Sequence, residues 1–290
     1  MLKVGVGATV LSRNPQGFLD RMPHLARRAE FAWLPGHSAT FSFPQSRHDY
    51  LIHLATATSA HLGQTNPVEM LKTKLFGILH VLDYARYAGI RRLLVTSSGA
   101  VYGPQPAGLS HVPETYPGAP DPLDPASAYG NGKRLVEQMC ALAGDVDAVV
   151  ARCFSFLGPQ LPLDARFAAG NFIRDALAGG PIVIRGDGRA VRSYLHAADL
   201  MIWLLTLLLR GKPGRAYNVG SDAGLAVDEL AQAVARPGQA VARAAAGAAD
   251  AACPPQHYLP DIARARDELG LTVLIPLDDA IERTLRWNPA

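Results

Sequence analysis

Residues 127–133 read Ser127-Ala128-Tyr129-Gly130-Asn131-Gly132-Lys133, and an apolar-periodic run follows them. Tyr129 and Lys133 are four residues apart, so a helix over this segment places both side chains on one face. An unperturbed tyrosine has a pKa of ~10, and an ammonium one turn away favours its phenolate. The spacing therefore predicts a helix that carries a tyrosine and lysine pair suited to proton transfer on an alcohol or ketone.

Short apolar runs on both sides of this segment predict β-strands over residues 8–12, 50–54, 93–97 and 148–152. Between the second and third runs, residues 67–88 are apolar at helical spacing, and Gly89 follows as a stop signal. Continuous apolar strands that alternate with helices are typical of a parallel sheet covered on both faces. The sequence therefore predicts an α/β fold, a Rossmann-like doubly wound parallel sheet with a smaller C-terminal substrate lobe.

The same pattern predicts how the chain divides into domains. Residues 1–152, together with about 192–220, are assigned to the Rossmann-like nucleotide-binding domain. Residues 153–191 and 221–290 are assigned to the substrate-binding lobe.

Composition excludes several classes of partner. The net charge of +3 comes without a run of like charges, so a nucleic-acid partner is not expected. The most apolar stretch, residues 201–209, is too short to span a bilayer, so no membrane association is expected. Cys140, Cys153 and Cys253 lack metal-ligand spacing, and we expect reduced thiols, no metal site and a cytoplasmic location.

Small hydroxyl residues end the third predicted strand, in Ser97-Ser98-Gly99-Ala100-Val101-Tyr102-Gly103-Pro104. Ligands of doubly wound sheets bind beyond the carboxyl ends of the strands. A serine hydroxyl there can hydrogen-bond a substrate oxygen while a tyrosine moves its proton. Turn chemistry alone also explains a serine pair, but Tyr129 follows across a single loop, which favours the functional interpretation.

Four blocks of sequence occur in a particular order: residues 97–103, the Tyr129 and Lys133 pair, residues 152–159 and residues 186–200. Together they resemble the extended short-chain dehydrogenase/reductase family, which includes the NAD-dependent sugar-nucleotide epimerases, dehydratases and reductases. The similarity runs in register from about Ala8 to Trp287. It implies an NAD(P)-dependent epimerase or 4-keto reductase that acts on a nucleotide-linked sugar.

The resemblance also implies roles for individual residues. Ser98 would hold the reacting oxygen, Tyr129 would be the acid/base, and Lys133 would lower the pKa of Tyr129 and hold the nicotinamide ribose. The implied cofactor-binding residues are Ser12, Arg13, Leu54, Ala55, Thr56, Ser97, Tyr129 and Lys133, and the implied substrate-binding residues are Ser98, Ser155, Asn171 and Arg192.

Structural interpretations remain open beside these roles. Arg192 can also pair with Asp187 or Asp199, because both carboxylates lie nearby in the sequence. Asn171 can also cap the helix that follows it, and we interpret His196 as structural.

The chain departs from the family pattern at its first element. Members open with a strand, a glycine-rich turn and a helix whose amides receive the pyrophosphate. Residues 7–14 align instead with the second strand of the family, so the first strand is expected to be missing. We therefore expect dinucleotide binding to be weak or lost, and a truncated or non-catalytic homologue is the alternative function. Ser12 and Arg13 end the aligned strand and favour NADP slightly over NAD, because they suit a 2′-phosphate.

Other departures bear on the reaction. The family's 4,6-dehydratases have an Asp-Glu pair where this chain has Gly99 and Ala100, so dehydration is disfavoured while epimerase and reductase remain open. Lys74 stands where an asparagine is usual. The resemblance further implies a homodimer formed through helices at about 67–88 and 126–143.

Overall fold

The computed structural model describes residues 5–54, 66–163, 167–244 and 255–288. Its largest sheet consists of the parallel strands β3 (Tyr50–His53), β4 (Arg92–Ser98), β5 (Ala148–Cys153) and β10 (Ala216–Val219), adjacent in the order β10, β5, β4, β3. The predicted parallel α/β architecture is confirmed. The predicted strands 50–54, 93–97 and 148–152 agree with the structure to within one residue at each end.

The described residues form the helices α1 (Pro15–Arg21), α2 (Pro23–Ala26), α3 (Pro67–Tyr87), α4 (Ala128–Leu142), α5 (Ala168–Ala178), α6 (Ala197–Arg210), α7 (Val227–Val234), α8 (Ala263–Leu269) and α9 (Leu277–Trp287). Of these, α3 and α4 cover one face of the large sheet, and α6 and α8 cover the other. Successive side chains of a strand point to opposite faces. Leu93 and Val95 of β4 therefore pack with α3 and α4, whereas Leu94 packs with α6 and α8.

Local signals in the sequence account for the bounds of α3. The side chain of Asn66 accepts a hydrogen bond from the amide of Glu69, and Pro67 occupies the first turn, where its missing N–H costs nothing. Gly89 follows the helix with a φ of +62°, a conformation that glycine adopts without strain. The predicted helix over residues 67–88 is thereby confirmed.

A second, two-stranded sheet is formed by β1 (Ala8–Ser12) and β2 (Phe31–Pro35), which pair in parallel. Leu11 and Leu34 of these strands pack against the core cluster that α3 and α4 form with the large sheet. Within the described ranges, no strand pairing joins β1 to β3. That a first strand of the family fold is missing from this position stays a prediction.

The other strands are short and lie mainly in the C-terminal half. They are β6 (Ser155–Leu157), β7 (Ile182–Ile184), β8 (Val191–Arg192), β9 (Tyr194–His196), β11 (Leu225–Ala226), β12 (Val241–Arg243) and β13 (His257–Tyr258). A separate core cluster of buried residues joins α5, α7 and α9, and it includes Phe172, Ile173, Leu230 and Ile281. This cluster gives the C-terminal half its own packing, while the predicted domain boundaries stay a prediction.

Thiols and membrane spans give two simple results. Cys140 and Cys153 are free, and burial raises the pKa of each thiol to about 12. Cys253 lies outside the described residues.

No helix within the described segments has the length and hydrophobicity that crossing a bilayer requires.

A largely buried ion pair ties the large sheet to α4. Arg152 Nη2 of β5 donates to Glu137 Oε2 of α4 at 2.7 Å, and Arg152 Nε donates to both oxygens of the same carboxylate. Ser97 Oγ of β4 donates to Glu137 Oε1 at 2.5 Å. Arg152 Nη1 donates to the Tyr102 hydroxyl at 2.9 Å, and that hydroxyl donates to Asn218 Oδ1 of β10 at 2.8 Å. The network therefore connects β4, β5, β10 and α4.

We predict that Glu137→Gln lowers the free energy of unfolding by about 3–5 kcal/mol, because it leaves a buried guanidinium without its counter-charge. Asp145→Asn is the matched control, since Asp145 also forms a two-point contact with an arginine, Arg86, but at the exposed surface. Its expected loss is about 0–1 kcal/mol. Urea unfolding followed by circular dichroism measures both, and equal losses would contradict a special contribution from the buried pair.

Candidate active site

Ser98 is positioned by the end of β4. It is the last residue of that strand, it is buried, and a 3₁₀ turn over Gly99–Tyr102 follows it. Ser98 Oγ accepts a hydrogen bond from the amide of Ala100 at 3.2 Å, which caps the turn. The hydroxyl therefore has a fixed place at the carboxyl edge of the sheet, where the sequence predicted it.

Tyr129 lies in the first turn of α4 and is hydrogen-bonded to Ser98. Burial raises the pKa of Tyr129, and the hydrogen bond from the Ser98 hydroxyl opposes that rise. The net pKa of Tyr129 is therefore above its usual value, because the phenol is removed from water and the phenolate is disfavoured. The role of Lys133 in lowering this pKa stays a prediction.

Lys133 lies one turn further along α4 and is buried. Its ammonium donates to the carbonyl oxygen of Thr96 on β4 at 2.7 Å, which aims the side chain at the strand that carries Ser98. Burial lowers the pKa of Lys133 to about 8, while Cys153 and Glu137 act in the opposite direction. Ser98, Tyr129 and Lys133 thus converge at one end of β4, whereas their catalytic roles stay predictions.

Lys74 of α3 joins this group. Its ammonium lies 4.7 Å from the centre of the Tyr129 ring, the geometry of a cation–π contact. The side chain is buried, and burial together with the charge of Lys133 lowers the pKa of Lys74 to about 8. Sequence reasoning noted Lys74 only as a departure from the family pattern, because nothing in the sequence shows that α3 turns this residue towards Tyr129.

Two glycines of α4 make these contacts possible. A Cβ on Gly132 would lie 2.7 Å from Lys74 Cδ, so a side chain there would displace the lysine. A Cβ on Gly130 would lie 2.5 Å from the carbonyl oxygen of Ala100, so the helix approaches the turn after β4 closely only because this residue is glycine.

His53 ends β3 and is also buried in this region. Burial and the neighbouring charge of Lys133 lower the pKa of His53 to about 4, so the imidazole is neutral at physiological pH. The sequence pattern placed His53 inside a strand and provided no sign of this electrostatic environment.

Arg192 and Tyr258 belong to the C-terminal half of the chain and extend the site around Ser98. β8 and β13 pair in parallel, with Arg192 and Tyr258 as register partners, and the Arg192 guanidinium lies 5.7 Å from the centre of the Tyr258 ring. The Tyr258 ring also packs against Phe154 at 4.6 Å, and its hydroxyl lies 3.4 Å from Ser98 Oγ. Sequence analysis missed Tyr258, which is 160 residues from Ser98 and belongs to no recognised block.

The sequence left open that Arg192 pairs with Asp187 or Asp199 and that Asn171 caps a helix. Both interpretations are wrong. Arg192 Nη1 donates to the carbonyl oxygens of Val191 and Gln256, whereas Asp187 pairs with Arg189. The carboxylate of Asp199 accepts from the amides of Leu274 and Ile275. The cap residue of α5 is Phe167, and Asn171 Oδ1 accepts instead from Arg174 at 3.1 Å. His196 is structural as predicted, since its ring caps α6 by accepting from the Ala198 amide.

Asn171 lines a cavity of about 310 Å³ between α5 and the segment that follows β7. The other lining residues include Phe172, Ile184, Gly186, Asp187 and Val227. Ser155 begins β6, directly after Phe154, and is half-buried. The predicted substrate residues are therefore not brought to one place: Ser98 and Arg192 lie around Tyr258, Asn171 lies at this cavity, and Ser155 begins β6.

Four of the predicted cofactor residues, Ser12, Arg13, Leu54 and Ser97, lie at or next to the carboxyl ends of β1, β3 and β4. Ser12 ends β1 and is followed by Arg13, whose side chain is exposed. Leu54 follows β3 and is exposed, and Ser97 precedes Ser98 in β4. Ala55 and Thr56 lie outside the described residues. Their cofactor-binding role stays a prediction, as it does for the other residues of the set.

Known proteins resemble the chain in sequence. The model of the family described as "NAD dependent epimerase/dehydratase family" matches residues 3–220. UDP-glucuronic acid decarboxylase 1 of Xenopus tropicalis is 30% identical over 247 residues, which are 82% of this chain and 56% of that protein. UDP-glucuronic acid decarboxylase 1 of Arabidopsis thaliana is 31% identical over 242 residues, 81% of this chain and 54% of that protein. The chain spans about half the length of the curated relatives it matches.

Solved structures resemble the fold. UDP-glucose 4-epimerase of Thermotoga maritima, determined with UDP-glucose, superposes with a TM-score of 0.82 at 21% identity, covering 99% of this chain and 92% of that one. UDP-glucuronic acid 4-epimerase of Bacillus cereus, determined with NAD, superposes with a TM-score of 0.78 at 18% identity, covering 97% and 90%. Both likenesses concern the fold.

The depressed pKa of Lys74 predicts a specific pH dependence. The folded chain releases this proton near pH 8, whereas an unfolded chain holds it until about 10.4, so the unfolded chain binds more protons in between. The stability of the wild type relative to Lys74→Met should therefore be constant below pH 8 and rise from pH 8 towards pH 10. Thermal or urea unfolding across this range measures it.

The matched control for this experiment is Lys72→Met, on an exposed position of the same helix. Titrations of groups far from Lys74 are common to all three proteins and cancel in the differences, whereas Lys133 and Tyr129 interact with Lys74 and contribute to the difference for Lys74→Met. A relative stability that depends on pH equally in both variants would show that Lys74 does not carry a buried charge.

Proposed function

This chain belongs to the NAD dependent epimerase/dehydratase family, and on that premise we propose that it is an NAD(P)-dependent epimerase or 4-keto reductase acting on a nucleotide-linked sugar. The observation that carries the proposal is the convergence of Ser98, Tyr129 and Lys133 at the carboxyl end of β4. A phenol, a hydroxyl and an ammonium held together at a sheet edge suit proton transfer at a sugar hydroxyl or its ketone.

Proton transfer is assigned to Tyr129. Ser98 holds the sugar oxygen by a hydrogen bond, and Tyr129 takes the proton of that oxygen when an alcohol is oxidised or returns it when a ketone is reduced. The Lys74 ammonium lies over the Tyr129 ring, and we assign to it and to Lys133, one turn further along α4, the role of favouring the phenolate by Coulomb attraction. NAD, when bound, supplies the hydride exchange at the sugar carbon.

The donor set fits parts of a dinucleotide. Arg13 and Ser12, at the carboxyl end of β1, suit the adenosine ribose and slightly favour the 2′-phosphate of NADP, while Lys133 suits the nicotinamide ribose. Among the described residues, β1 leads through Asn14 into a helix that begins with Pro15, rather than into a glycine-rich turn that could bind the pyrophosphate. We therefore expect this chain to bind the dinucleotide weakly.

Substrate binding is assigned to residues in the C-terminal half. Arg192 presents a planar guanidinium next to Tyr258, a group suited to a diphosphate. The cavity that Asn171 and Phe172 line is of the size of small ligand pockets and suits a nucleoside. Several relatives act on UDP-glucuronic acid according to their names, which supports a UDP-linked sugar.

The turn after β4 narrows the choice of reaction. Gly99 and Ala100 provide no carboxyl group beside Ser98, so these positions cannot carry out acid-assisted loss of water. Epimerisation and 4-keto reduction require, from the protein itself, only the side chains of Ser98, Tyr129 and Lys133.

We also propose a homodimer through α3 and α4. Val68, Phe76 and Tyr87 of α3 and Leu142 of α4 are large apolar side chains that are exposed in the single chain. A second copy that covered them would remove this apolar surface from water. Light scattering should give about twice the mass of 30.9 kDa, and Phe76→Glu should halve it; a wild-type chain with the mass of one copy would overturn the dimer.

The catalytic assignment predicts that Tyr129→Phe lowers turnover of UDP-glucose or UDP-glucuronic acid by ~10²–10⁴-fold at millimolar NAD or NADP, because the proton acceptor is lost. Tyr50→Phe is the control, since Tyr50 lies at the opposite end of β3 and keeps its ring contact with Arg91. NMR of the products distinguishes an epimer, a 4-keto sugar formed by the reverse of the reductase reaction, with NAD or NADP as the hydride acceptor, and a decarboxylated sugar. A wild-type chain that converts none of these substrates would overturn the proposed function.

Calorimetric titration with NAD and NADP tests the cofactor assignment separately. We expect no binding at micromolar concentrations, with NADP the tighter of the two because of Arg13. Micromolar binding would overturn the expected weakness while supporting the enzymatic function.

A further inference from the structure

Tyr258 is the feature of the site that the proposed function does not use. The Tyr258 ring, on strand β13, lies near the end of β4 and contacts both Phe154 and Arg192. Its hydroxyl lies 3.4 Å from Ser98 Oγ, slightly longer than the usual hydrogen-bond distance of about 2.5–3.0 Å between two oxygens. Distances of this kind in free enzymes tighten when a ligand binds.

Gly99 and Tyr258 fit each other. A Cβ on Gly99 would lie 2.7 Å from the Tyr258 hydroxyl oxygen and 2.7 Å from the Phe154 ring. No side chain can occupy position 99 while Tyr258 keeps its place. The space beside Ser98 is therefore filled by a phenol that comes from the C-terminal half of the chain.

The hydrogen bonds of Ser98 can be counted. A serine hydroxyl has one proton to donate and two lone pairs that accept. The Ala100 amide occupies one lone pair at 3.2 Å, and the Ser98 hydroxyl interacts with Tyr129, whose pKa it lowers. If the single Ser98 proton serves Tyr129, then Tyr258 must be the donor to the second lone pair.

We propose that Tyr258 is a positioning residue of the candidate active site, whose hydroxyl donates to Ser98 Oγ and so directs the single Ser98 proton towards Tyr129 and the sugar oxygen. This inference deepens the proposed function, since it assigns how Ser98 acts as a donor in that reaction. The direction of donation is favoured by protonation, because burial and the adjacent Tyr129 raise the pKa of Tyr258. Tyr258 therefore keeps its proton when Tyr129 gives its own up.

The proposal predicts the ionisation of Tyr129 in the free chain. Without Tyr258, the Ser98 hydroxyl can rotate, its hydrogen bond to the Tyr129 phenolate weakens, and the pKa of Tyr129 rises. The other titratable groups beside Tyr129 are unchanged by this substitution; they are Lys74 of α3 and Cys153 of β5, with Lys133 one turn further along α4. The effect can therefore be attributed to the hydrogen-bond chain from Tyr258 through Ser98.

The experiment is a pH titration of tyrosinate absorbance, in which Tyr129 is isolated by subtracting the curve of the matching Tyr129→Phe protein. We expect Tyr258→Phe to raise the pKa of Tyr129 by about half a unit or more. Gly99→Ala should act in the same direction, because its methyl group displaces the Tyr258 hydroxyl without removing it. Tyr50→Phe, the control, should leave the pKa of Tyr129 unchanged.

Circular dichroism confirms that each variant is folded before titration. An unchanged pKa of Tyr129 in Tyr258→Phe, or an equal shift in Tyr50→Phe, would overturn the proposal. The titration needs neither NAD nor a sugar nucleotide, so the pKa of Tyr129 can be interpreted even if the chain converts no UDP-sugar. Failure of the proposed function and failure of this inference are thereby distinguished.

Discussion

The contact between Arg152 and Glu137 is the interaction on which the candidate site depends. It joins a strand of the large sheet to the helix that carries Tyr129 and Lys133, and Ser97 bonds to the same carboxylate one residue before Ser98. Because a buried charge is costly unless it is paired, the helix has one favourable position against the strands. That position determines how far Tyr129 lies from Ser98. The hydrogen bonds continue from Arg152 through Tyr102 to β10, so the strands on either side of β5 are held in the same network.

The site combines groups that burial would normally keep apart. Lys74 and Lys133 are both buried, and burial lowers the pKa of each ammonium to about 8. Burial has the opposite effect on Tyr129, whose pKa is raised. Removal from water thus separates the proton affinities of the phenol and the ammoniums, which are nearly equal in solution. Burial favours the uncharged form of all three groups in the free chain.

The sequence predicted the parts of this molecule that depend on local pattern. Apolar runs located β3, β4 and β5, and the four-residue spacing located the face of α4 that carries Tyr129 and Lys133. It did not predict the contacts made by Lys74 and Tyr258, because these depend on how distant segments pack. Spacing indicated a charge near Tyr129 but not the loss of water that raises the pKa of this residue. Sequence reasoning thus identified the reactive side chains but not their burial or the distant side chains that contact them.

The glycines of α4 have a consequence for how the site assembles. Gly130 and Gly132 fall in the first turns of the helix, each at a cost of about 1 kcal/mol relative to alanine. The end of the helix that carries Tyr129 and Lys133 is therefore the end with the least intrinsic tendency to be helical, and excised as a peptide it would be largely random coil. Its order depends on packing against the turn after β4 and against Lys74. The reactive groups therefore owe their positions to these tertiary contacts rather than to the intrinsic helix propensity of their own segment.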